Sequence, residues 1–245
     1  MTNAVTQTFF INAGTTATAA RDQVRDFIIA NWGWTHVKSY LVGAVEYATF
    51  TVPSLTGFVS VRFDVSSGAN RIGFSLHDTF NDATNARGGE VADTIKAVNN
   101  SLTNGSVVAL GHPELCMFRA SFGTTNQITG VLFFNPANKP ANWNDAKPYA
   151  ATFGAVTGTF SFGNTALGAT SAVRLGVTAA QPDGRGLTRG VTFYAASSYF
   201  LGQTSDDLAL IAASGANVWD TGTLSTGEVF TIVEPSSEAL CIRTA

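Results

Sequence analysis

The sequence predicts a mainly β protein, built as two tandem, duplicated antiparallel β-sandwich or barrel-like domains with one or two short helices per copy. Three observations carry this. Runs rich in Val, Ile, Phe, Thr and Tyr recur roughly every 8–15 residues between Gly, Asn, Ser and Pro turns, a spacing that suits antiparallel strands rather than alternating β/α units. The two cysteines sit in matching contexts, "HPELCMFRA" at 112–120 and "EPSSEALCIRTA" at 234–245. Similar matches continue backwards along the chain in unbroken order.

The segment "SLTNGSVVALGHP" (101–113) aligns without a gap with "TLSTGEVFTIVEP" (223–235), so that Leu102, Gly105, Val107 and Pro113 face Leu224, Gly227, Val229 and Pro235. Upstream, "SVRFDV" (60–65) matches "AVRLGV" (172–177), and "ATFTV" (48–52) matches "GTFSF" (158–162). "ANW" occurs at 30–32 and 141–143, and the pair Phe9-Phe10 recurs as Phe133-Phe134. The offset is 124 at both ends of the repeat (133 − 9 and 243 − 119). That period is too long for a solenoid and suits two copies of a small domain, 1–130 and 131–245.

Copy one begins with a helix at about 16–31. Ala20, Val24, Phe27, Ile28 and Trp32 recur at helical spacing, Thr15 or Thr16 is placed to cap the start, and Arg21, Asp22, Arg25 and Asp26 share the other face. Copy two has "NPANKP" instead, whose prolines forbid a helix. Strands are expected at "YATFTV", "FVSVRFDV", "RIGFSL", "SVVAL", "CMFRASF", "TGVLFF", "GTFSF", "AVRLGV", "GVTFYA", "EVFTIV" and "ALCIRT". Two further helices are predicted. In 88–102, Val91, Ile95, Val98 and Leu102 fall on one helical face, and 205–214 opens with Asp206 and Asp207, which suit a helix N-terminus. The proline-containing stretch 135–150 links the copies or covers an edge of the second.

Composition restricts the function classes. Charged residues are 13% of the chain and hydrophobic residues 45%, against roughly 25% charged in an ordinary soluble domain. So few charges leave little to keep copies apart, which favours burial against neighbouring subunits. The net charge of −3 and fourteen scattered Lys and Arg argue against a nucleic-acid partner. No apolar run is long enough to span a bilayer, and "MTNAVTQTFF" carries no secretory signal pattern. Two cysteines make no disulfide framework, so Cys116 and Cys241 are expected as buried small hydrophobes at equivalent points of the two copies.

Sites for chemistry are not evident. His36, His77 and His112 each stand alone, outside any metal-ligand spacing. Asp78, Asp82 and Asn85 lie in "HDTFNDATN", read as a solvated loop because it lacks the acidic alternation of a calcium loop. No catalytic, cofactor or metal residues are assigned, and the chain is read as a non-enzyme. The candidates are instead interface residues. Arg185 and Arg189 lie within a glycine-rich hairpin tip at 182–190, either a plain turn or a docking element for a neighbouring subunit or an acidic ligand. Trp143 and Trp219 lie beside Asn and Asp, a setting that suits an interface anchor or, alternatively, glycan stacking; the interface reading is preferred. Trp32 and Trp34 are expected to pack at the helix–sheet junction.

The stretch "RDQVRDFIIANWGWTHVKS" (21–39), followed by strand-turn-strand segments, resembles the openings of small virion structural proteins of tailed bacteriophages. The likeness covers about the first 65 residues, with similar composition beyond. It implies a building block made in the host cytoplasm and assembled into the tail, neck or baseplate of a particle, with copies of itself and other virion proteins as partners. The alternative is a tandem β-sandwich that binds a glycan or receptor or decorates a capsid.

Overall fold

The computed structural model describes residues 5–11, 15–53, 57–64, 69–89, 91–99, 105–112, 115–122, 125–133, 135–136, 150–154, 160–162, 171–174, 187–189, 192–195, 199–212, 217, 220–234 and 238–244. A strand, β1 (Val5–Ile11), precedes α1 (Ala17–Trp32), the one helix among the described residues. A meander of β2 (Thr35–Val42), β3 (Val45–Thr51), β4 (Phe58–Asp64) and β5 (Ala69–His77) follows. The short hairpin β6 (Thr79–Asn81) and β7 (Ala86–Gly88) leads to β8 (Val91–Asn99). Next come β9 (Gly105–His112), β10 (Leu115–Phe122), β11 (Thr125–Phe133) and β12 (Asn135–Pro136). Six strands continue: β13 (Ala150–Gly154), β14 (Phe160–Phe162), β15 (Ser171–Arg174), β16 (Leu187–Arg189), β17 (Thr192–Ala195) and β18 (Tyr199–Gln203). The chain closes with β19 (Leu208–Ala212), β20 (Thr221–Thr223), β21 (Val229–Glu234) and β22 (Glu238–Arg243).

The helix forms where the sequence places it. Thr16 is the N-cap, its hydroxyl accepting from the Ala19 amide at 3.1 Å, and Gly33 ends the helix with φ 64°, a conformation that favours glycine. Ala17, Ala20, Val24, Phe27 and Ile28 form its buried stripe. On the outer face Asp22 pairs with Arg21 and Arg25, each at 2.7 Å, and Arg25 also holds Asp26. Glu46 on β3 fixes the helix to the sheet: it accepts from the Thr18 hydroxyl at 2.7 Å and pairs with Arg21.

All strand pairing among the described residues is antiparallel, and these residues make a β-rich protein with one helix and several antiparallel sheets. A five-stranded sheet runs β2-β3-β4-β5-β8. Alternation puts Ala48 and Phe50, Val59, Val61 and Phe63, and Ile72, Phe74 and Leu76 on one face, where they bury against α1 and against Cys116, Phe118 and Val131. Each large side chain buried here contributes about 1.5–3 kcal/mol. Phe74 stacks on Phe118 with ring centroids 5.0 Å apart, joining this sheet to the long one. Trp34 is buried against Phe50, and Trp32 packs on Phe27, Trp34 and Phe118, so both tryptophans take the expected place at the helix–sheet junction.

The second sheet has ten strands in the order β1-β9-β10-β11-β13-β14-β15-β17-β18-β12. A third, β16-β19-β22-β21-β20, has its own core cluster of Ala209, Phe230, Ile232, Ala239 and Cys241. No helix among the described residues is long and apolar enough to cross a membrane.

Three expectations are corrected. Residues 91–99 form the strand β8, paired to β5, and not a helix. Residues 208–212 form β19, flanked by β16 and β22; Asp206 and Asp207 occupy a turn before it, where the Asp207 carbonyl accepts from the Arg243 amide at 2.7 Å. An apolar run this short, buried on both faces, has no period to separate strand from helix. Residues 79–88 form a hairpin and not a loop, with Thr79 facing Gly88. Its tip is shaped by the Asn81 side chain, which accepts from the Ala83 and Thr84 amides at 3.0 and 3.2 Å, and by Asn85 at φ 58°.

Candidate assembly edge

The strand β2 borders the five-stranded sheet on one side, with β3 as its only strand partner among the described residues. Buried Trp34 anchors its start, and a tight turn with Gly43 at φ 63° closes its end. His36 faces Phe50 and Lys38 faces Thr49, so Val37 is an extra residue between them, a β-bulge. Beyond the bulge, Tyr40 turns inward and stacks on Tyr47 at 5.2 Å, whereas Leu41 and Val42 remain 55% and 48% exposed. With Val37 at 37% and Ile29 at 43%, they are the large apolar side chains exposed among the described residues, and three of the four lie on this strand. Sheet edges with open backbone groups invite another strand, and proteins ordinarily blunt them with charge or with bulges such as the one at Val37, beyond which Leu41 and Val42 are exposed. The charge here is neutralised: Lys38 pairs with Asp82 at 3.0 Å and also donates to the Asp82 carbonyl. His36 hydrogen-bonds Ser39 at 3.0 Å, and burial together with the nearby Arg25 cation lowers its pKa below the ordinary 6.5.

The opposite face of this sheet was not legible as a site. Under the β6–β7 hairpin, a chain of hydroxyls runs across the strands: Tyr40 to Thr49 at 3.3 Å, Thr49 to Ser60 at 2.6 Å, Ser60 to His77 Nε2 at 2.7 Å. His77 Nδ1 lies 3.2 Å from the Thr79 carbonyl, which can only accept, so Nδ1 carries the proton. Burial raises the Tyr40 pKa above 10.0. Phe80 closes over Tyr40, Phe58 and His77, and the Arg87 guanidinium sits 4.1 Å above the Tyr47 ring. Thr49, Ser60 and His77 are fully buried, so the nucleophile-and-base geometry of Ser60 and His77 has no route for substrate. The network specifies register and seats the hairpin. Small hydroxyls alternating with large apolars, as in "FVSVRF" and "GFSLH", were its trace in the sequence.

A second polar cluster lies on the third sheet. Arg189 pairs with Glu228, Glu228 with Arg243 at 3.0 Å, Arg243 with Asp207, and Asp207 lies 3.6 Å from His112 at the end of β9. Donors from Arg189, Thr226 and Arg243 hold the Glu228 carboxyl down at about 2, and the same contact with Glu228 raises Arg189. Of the four interface candidates, Arg189 is therefore engaged within its own chain, and it also lies 5.7 Å from the centre of the Phe230 ring. Arg185, Trp143 and Trp219 lie outside the described residues.

Asp82 and Asn85 sit at the hairpin tip, and among the described residues no three His, Cys, Asp or Glu side chains gather closely enough to hold an ion. Cys116 and Cys241 are buried in separate cores and are not joined in a disulfide. The chain matches no protein-family model and no curated protein sequence.

Proposed function

We propose that this chain is a structural, non-enzymatic subunit of a tailed-bacteriophage particle, made in the host cytoplasm and assembled into the tail, neck or baseplate. It works by packing against copies of itself and other virion proteins. The observation that carries the assembly reading is the β2 edge, where Val37, Leu41 and Val42 are exposed on a strand that has no second strand neighbour among the described residues and whose lysine is neutralised internally. The phage assignment rests on the likeness of residues 21–39 to virion proteins and on the low charge content of 13%.

We also read the chain as two duplicated sandwich-like copies, 1–130 and 131–245. Supporting this, the matched segments form matching pairs. The strands β9 and β10 make an antiparallel hairpin with Cys116 on its second strand, and β21 and β22 make another with Cys241 on its second strand. Likewise β3 pairs with β4, and β14 with β15. Each cysteine is buried in a different core cluster.

The test is the native mass of the purified chain by light scattering at two concentrations about a hundredfold apart, since mass action separates an associating chain from a monomer. An oligomer whose population grows with concentration is the expected result. A monomer at both concentrations would count against the assembly reading.

A further inference from the structure

We propose that β2 pairs antiparallel with β2 of a second copy of this chain, centred on Ser39, so that two five-stranded sheets join across a two-fold axis. This rests on the assembly reading above and specifies its contact.

Three features select this occupant. An open strand edge offers a row of amides and carbonyls that only another extended backbone matches in spacing. The strand is also self-complementary: with Ser39 on the axis, Val37 of one copy faces Leu41 of the other, and the reciprocal contact follows from the symmetry. The exposed apolar side chains at 37% and 55% thus cover one another. Finally, the charges match a copy and not a charged partner. Lys38 is held by Asp82 of its own chain, and the register places it opposite Tyr40 and not opposite the second Lys38. His36 is favoured in its neutral form by burial and by Arg25. An acidic or basic ligand finds nothing on this strand to pair with, while a second neutral strand meets no like-charge repulsion.

The register is testable by cross-linking. Residues facing one another in an antiparallel pair have Cα atoms about 4.5–5.5 Å apart, inside the roughly 4.4–6.8 Å a disulfide accepts. Full-length Ser39→Cys should therefore form a covalent dimer under mild oxidation. Leu41→Cys should not, because its copy is displaced by four residues, about 14 Å along the strand. The native thiols are buried and add no background. Leu41→Lys, at a half-exposed position, should keep the parent's circular dichroism and melting temperature while its dimer dissociation constant rises at least about tenfold in light scattering. If the chain associates but Ser39→Cys does not link, or Leu41→Cys links equally, or Leu41→Lys associates like the parent, the β2 pairing is wrong and the assembly reading survives. If the parent is monomeric throughout, both are wrong.

Discussion

The indole of Trp32 occupies the space that a side chain at position 111 would need: a Cβ on Gly111 would overlap Nε1 and Cδ1 of the ring. The last residue of α1 is thereby seated on β9, and its ring also stacks on Phe118 of β10 at 5.7 Å. One close approach couples the helix, and the five-stranded sheet it covers, to the ten-stranded sheet. Gly111 is required here for its missing side chain and not for an unusual backbone conformation.

Gly111→Ala should therefore destabilise the fold by about 1–3 kcal/mol, the usual cost of forcing extra volume into a packed core. Urea unfolding of parent and variant checks this. A variant within about 0.5 kcal/mol of the parent would mean that the ring moves aside freely.

Neither cysteine should react with a thiol reagent in the native protein, and both should react after denaturation. Cys116 is fully buried, and burial pushes its thiol pKa well above 9.0, so thiolate is scarce as well as shielded. Cys241 is 1% exposed. Fast labelling of either residue in the folded chain would show that its core opens.

Glu228 should make stability depend on acid pH. Its folded pKa, about 2, lies below the ordinary 4.5, so its pairing with Arg189 and Arg243 contributes fully above about pH 4.5. The contribution is lost as pH falls through about 2. Glu228→Gln should thus be less stable than the parent near neutral pH, with the gap closing as the pH approaches 2. A gap that stays constant with pH would rule out the carboxylate as its source.

Much of the helix and the five-stranded sheet was legible because local rules and tertiary packing agree there. Thr16 and the stripe from Ala20 to Ile28 specify α1, and the structure uses each of them. The strand β8 was misread because Val91, Ile95 and Val98 recur at helical spacing, while a bulge between the pairs Phe74–Thr94 and Leu76–Val91 breaks the two-residue alternation that would have marked a strand. Only pairing with β5, which no local pattern encodes, decides between helix and strand. The segment around Leu208 failed for a different reason: its acidic pair suited a helix start and equally suits the turn that delivers Asp207 to Arg243. Edge exposure of β2 was illegible in principle. "THVKSYLV" has no strict apolar–polar alternation, and which of its sides lacks a strand neighbour is settled by sheet order.

Amide hydrogen exchange along β2, followed at two protein concentrations about a hundredfold apart, tests the central claim most directly. If the edge is the assembly contact, amides within 37–42 that point away from β3 gain protection at the higher concentration, while those of α1, already bonded within the helix, do not change. Exchange across 37–42 that is the same at both concentrations, in a chain that light scattering shows to associate, would contradict it.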